Sequence, residues 1–74
     1  MLKIKDNVDL KELEKFGFIQ SNMGYVLYKE YNDNWKQQIA SVNLTTKKVW
    51  ISQENKNDVY ELLKDVSENI DENK

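Results

Sequence analysis

Tyr25, Tyr28, Tyr31, Trp35 and Trp50 interleave with Lys29, Lys36, Lys47 and Lys48 along one stretch of the chain. Rings that stack on bases, beside cations that neutralise phosphates, are how many proteins hold single-stranded nucleic acid. The same rings on an uncovered sheet face would instead anchor a protein, since Trp and Tyr combine large apolar area with a polar tip. They could also simply pack on helices or pair across strands. Charge weighs against nucleic acid. The net charge is −2 and all eleven basic residues are Lys, so the rigid guanidinium fork that reads phosphate and guanine is missing. The expected interaction surface is therefore Tyr25, Tyr31, Trp35 and Trp50, facing a protein partner or a second copy of the chain. Lys29, Lys36, Lys47 and Lys48 are the expected contacts of the nucleic-acid alternative.

Other chemistries find less support. The chain has no Cys and no His, which removes thiol nucleophiles, imidazole bases, disulfides and the usual zinc ligands together. Ser21, Ser41, Ser52 and Ser67 have no base beside them in sequence. The acidic pairs Asp6/Asp9 and Glu12/Glu14 read as helix capping and a solvated helix face. Asp6, Asn7 and Asp9 are the densest oxygen cluster, but they lack calcium-loop spacing and its glycine. With Gly17 and Gly24 the only glycines, no phosphate-cradling loop exists. The expectation is a non-enzymatic protein with no metal and no cofactor.

The elements that would position these residues follow from period and punctuation. Asp9 and Glu12 suit a capping box, Leu10, Leu13 and Phe16 form an apolar stripe, and Gly17 fits a left-handed helix stop. A two-turn N-terminal helix is expected there, with Leu2 and Ile4 as a short edge strand ahead of it. From Phe18 the period falls to two. Strands are expected over 18–20, 25–31, 35–42 and 48–52, joined by turns at 21–24, 32–34 and 43–47. Turns this short make consecutive strands antiparallel neighbours. Ala40 and Val42 should face the core with Val49 and Ile51, which sends Trp50 outward. In Tyr25–Tyr28 both faces are apolar, and Val26 and Tyr28 are taken as inward. Val59, Leu62, Leu63, Val66 and Ile70 follow i, i+3, i+4, i+7, i+11, the stripe of an amphipathic helix capped by Asn57 or Asp58. The acidic tail from about residue 68 is expected to fray.

The expected fold class is thus α+β: a short N-terminal helix, a three- to four-stranded antiparallel meander, and a C-terminal helix on one sheet face. The 74 residues make one domain, 1–74. A chain of this size buries only about 60% of its unfolded surface. Without disulfides or zinc, it must rely on close packing or self-association, so a homodimer stands beside the monomer as an expectation. Residues 51–74 carry seven acids against Lys56, Lys64 and Lys74, while residues 21–50 are mildly basic. Met1–Lys5 alternates apolar and charged residues with no apolar run behind it, unlike a secretory signal. No segment has transmembrane length. A cytoplasmic protein without membrane contact is expected.

The stretch Asp6-Asn7-Val8-Asp9-Leu10-Lys11-Glu12-Leu13-Glu14-Lys15-Phe16-Gly17-Phe18, with the later Ile39–Ser52, resembles small uncharacterised proteins encoded by phages and prophages of low-GC Gram-positive bacteria. The resemblance spans nearly the whole chain. It implies the same helix, meander and helix, and an accessory or interaction role in a phage context, with no site residues attached. Leu44 departs from it, since such relatives would carry Pro in that turn.

Overall fold

A computed structural model of the chain describes residues 2–32 and 34–70. Six strands form one sheet: β1 Leu2–Ile4, β2 Ile19–Ser21, β3 Gly24–Asn32, β4 Trp35–Asn43, β5 Lys48–Ile51 and β6 Ser67–Asn69. Their spatial order is β2–β3–β4–β5–β1–β6, and every neighbouring pair is antiparallel. A 3-10 helix, Leu10–Phe16, links β1 to β2. A 3-10 turn, Gln53–Asn55, leads into α1, Lys56–Leu63, the one α-helix among the described residues.

This corrects the expected three- to four-stranded meander with two α-helices. The central strands β2 to β5 do form a meander through short turns, but two more strands complete the sheet. β1 is not an edge strand. It lies between β5 and β6, with Leu2 opposite both Val49 and Asn69. Pairing between the two ends of a chain is non-local, so no turn signal announces it.

The N-terminal helix is 3-10 and not α. Asp9 caps it by accepting from Lys11 N at 3.0 Å, and Gly17 closes it in the left-handed region at φ 97°. The expected capping box is not formed, because the Glu12 carboxylate turns to Lys15 at 2.6 Å. Phe18 N then donates to the Leu13 carbonyl at 3.2 Å and leads the chain into β2.

The C-terminal helix is the larger correction. It begins at Lys56, after Asn55, so Asn57 and Asp58 lie inside its first turn. It stops at Leu63, and the chain turns over Lys64–Val66. The Ser67 hydroxyl donates to the Leu63 carbonyl at 2.7 Å. That carbonyl is the one a continuing helix would offer to the Ser67 amide. Short polar side chains compete with helical bonds in this way. Beyond the turn, Lys5 N donates to the Val66 carbonyl at 2.9 Å, and Ser67–Asn69 satisfies the open edge of β1. Glu68 and Asn69 of the tail expected to fray are thus paired in the sheet, while its remainder at 71–74 lies outside the described residues.

One core fills one face of the sheet: Leu2, Ile4, Leu13, Phe18, Tyr25, Ile39, Ala40, Val42, Val49, Val59 and Leu63. The 3-10 helix and α1 both contribute to it, so they cover the same face. Each buried aliphatic side chain contributes about 1.5–3 kcal/mol. Ala40, Val42, Val49 and Ile51 face it, in keeping with their alternation. Val26 and Tyr28 do not. Tyr25 lies opposite Val42 and Leu27 opposite Ala40, so the odd positions of β3 point inward and the even ones outward. A bulge leaves Ile39 unpaired between Gln38 and Ala40, which puts two consecutive buried residues in β4.

Candidate functional site

The face of the sheet that no helix covers among the described residues is built from cross-strand pairs. Ile19 lies opposite Val26, Val26 opposite Ser41, and Ser41 opposite Trp50. Paired residues in an antiparallel ladder share a face, so these four cross four strands in one row. The row has a low middle and high ends. Ile19 and Trp50 are each 54% exposed, with Val26 and Ser41 half-buried between them.

Gly24 deepens the floor. Its α-carbon faces Asn43 across the ladder at φ 151°, and a β-carbon there would lie 1.9 Å from the Val42 carbonyl oxygen. No side chain fits. The result is a trough of about 710 Å³ whose walls are Trp50 and Met23, with Tyr60 and Lys56 of α1 at one margin. Ser21, Gln38, Ser41 and Asn43 supply hydrogen-bonding groups along it. Such a surface, apolar and aromatic with scattered polar groups, suits an apolar ligand surface better than a charged one.

The other predicted residues are not gathered here. β2 covers only residues 24–26 of β3, and β5 only residues 40–42 of β4. Tyr28–Asn32 and Trp35–Gln38 therefore project as a two-stranded ribbon with no third strand beside it among the described residues. On one ribbon face, Tyr31 and Trp35 meet at 4.6 Å between ring centroids. The Tyr31 hydroxyl donates to Gln37 Oε1 at 3.0 Å, and Lys29 sits 5.5 Å from the Tyr31 ring. Tyr31 and Trp35 are 43% and 53% exposed. On the other face, which continues the Trp50 face, Lys36 lies 5.6 Å from the ring of Tyr28. The ribbon thus carries aromatic and cationic contacts on both sides.

Tyr25 leaves the predicted surface altogether. Its ring is in the core, 3% exposed, and its hydroxyl donates a long bond of 3.5 Å to Glu14 Oε2. Burial, and then the nearby Glu14 carboxylate, raise its pKa above the ordinary tyrosine value. The four lysines also divide. Lys29 and Lys36 stand on opposite ribbon faces, whereas Lys47 and Lys48 belong to the turn and strand at the far end of β4. Lys47 Nζ donates to the Asp6 carbonyl at 3.4 Å. Asp6 itself pairs with Lys3 at 3.0 Å, and that hydrogen bond and charge hold its carboxyl below the usual range.

Sequence reasoning missed Ile19, Met23, Val26 and Tyr28 as surface residues. The one local signal was Gly24, whose lack of a side chain marks a close approach of β3 and β4; which positions of β3 point outward follows only from the register with β4. No protein-family model, curated protein or solved structure matches the chain. No helix among the described residues is long and apolar enough to cross a membrane.

Proposed function

We propose that this chain is a non-enzymatic binding protein that takes a protein partner on the uncovered face of its sheet, with Trp50 as the anchor. The carrying observation is the Ile19–Val26–Ser41–Trp50 row: large exposed apolar side chains at both ends of a floor that Gly24 keeps low. Monomeric proteins rarely leave a contiguous apolar patch uncovered without a use for it. An indole beside a recess is a typical hot spot. An accessory role in a phage or prophage setting rests on the resemblance of the sequence alone. A single-stranded nucleic-acid site is less well served, because the lysines it needs lie on two faces and at two ends of the sheet.

The test is sedimentation velocity over a wide concentration range, joined to capture of proteins from a host lysate, for the wild type and Trp50→Ala. Self-association or capture that depends on Trp50 is the expected result. A monomer at every concentration that captures nothing would overturn the reading.

A further inference from the structure

We infer that residues 64–70 are a conformational switch, able to leave the sheet as strand β6 and continue helix α1. Two independent patterns meet in this segment. The apolar stripe Val59, Leu63, Val66, Ile70 keeps helical period across the whole of it. Yet the helix stops at Leu63, and the same residues pair with β1: Ile4 with Ser67, Lys3 with Glu68 and Leu2 with Asn69. Neither state is strongly enforced. β6 is a three-residue edge strand of Ser, Glu and Asn, types with poor strand preference. α1 has eight residues and no side-chain cap at Asn55, and helices that short are marginal.

Ser67 holds the balance. Its buried hydroxyl occupies the Leu63 carbonyl at 2.7 Å, while Val66 N reaches the same carbonyl at 3.0 Å. In a continued helix the Ser67 amide takes that carbonyl, and Val66 and Ile70 stay on the core-facing stripe. Release of β6 also bares the outer edge of β1, which is a template for a strand from another chain.

The two edges of β1 provide the readout. Lys5 N is bonded to the Val66 carbonyl on the β6 side, at 2.9 Å. Ile4 N is bonded to the Lys47 carbonyl on the β5 side, also at 2.9 Å. Opening of β6 alone frees the first amide and leaves the second protected. Amide hydrogen exchange on the wild type should show Lys5 exchanging at least about tenfold faster than Ile4, a local opening below the global one. Ser67→Ala, which removes the hydroxyl and favours helix, should speed Lys5 a further fivefold or so. It should leave Ile4 unchanged and increase the helical far-ultraviolet signal. Ser67→Thr, which keeps the hydroxyl, should return Lys5 toward the wild-type rate. Equal exchange of Lys5 and Ile4 in the wild type would overturn the switch. So would acceleration of both together in Ser67→Ala without gain of helix, because β6 would then open only when the whole domain does.

Discussion

Replacing Gly24 with Ala tests the geometry that makes the trough. The new methyl would stand 1.9 Å from the Val42 carbonyl oxygen and 2.9 Å from Leu44 N, where ordinary contact begins at 3.4 Å. Both obstacles are backbone, so β4 and its turn must move as a unit. The movement strains the Gly24–Asn43 pairing and the bond from Leu44 N to the Met23 carbonyl, 3.0 Å in the native chain. Two or three weakened hydrogen bonds at about 1 kcal/mol each, with about 1–2 kcal/mol for a side chain in the left-handed region, give a loss of about 3–5 kcal/mol. A domain of this length has roughly 4–11 kcal/mol in total, so the variant should be close to unfolding. Gly17→Ala is the internal control. Its φ of 97° is also left-handed, but its methyl would meet only Leu27 Cδ1 at 3.5 Å, an ordinary contact. Its cost should stay at about 1–2 kcal/mol. Urea unfolding of both variants, followed by tryptophan fluorescence and circular dichroism, measures the difference. Equal losses for the two would refute the close approach of β3 and β4 at Gly24.

Three further outcomes are expected. Leu44→Pro, which installs the residue expected from the phage-protein resemblance, should destabilise by about 1 kcal/mol because the Leu44 amide is bonded to Met23; an unchanged urea midpoint contradicts this. Asn43→Ala should cost about 1–2 kcal/mol, since Asn43 Oδ1 accepts from Thr45 N at 2.8 Å and Thr46 N at 2.9 Å, and a loss below the error of urea titration speaks against that turn. The Tyr25 phenol should ionise above the ordinary tyrosine value in a pH titration followed by its own side-chain NMR signals. Its folded pKa is raised, so the associated stability is complete below pH of about 10, the unfolded value, and is lost as pH climbs through the folded value. Glu14→Gln should bring that titration part of the way back, because burial is the larger cause; a Tyr25 phenol that ionises at the ordinary tyrosine value would contradict the buried ring.

Much of the sheet was legible because its signals are local. Asn32 and Asn34 mark one turn, where Asn34 N donates to Asn32 Oδ1, and Asn43 organises the next. Alternation placed Ala40, Val42 and Val49 inward and Trp50 outward. The ends of the chain were not legible for the opposite reason. The pairing of β1 with β5 and β6 joins residues more than 40 positions apart, and Leu2–Ile4 carries too few residues to show which partners it takes. The Val59–Ile70 stripe suited a long helix, but packing of Val59 and Leu63 satisfied the core with eight helical residues. The chain beyond was then free to answer the backbone demand of β1. For the candidate site, Trp50 was placed by period alone. Tyr25 and Tyr28 were exchanged, because both faces of β3 are apolar and only the register with β4 distinguishes them.

The central claim, an uncovered sheet face anchored by Trp50, is tested most directly by quenching the fluorescence of that indole. With Trp35→Phe, Trp50 is the only tryptophan left. A neutral quencher should reach it in the dilute monomer, where the side chain is 54% exposed, and should lose access when the chain self-associates or binds a captured protein. An indole already shielded in the dilute monomer, or still open to quencher in the complex, would contradict the account.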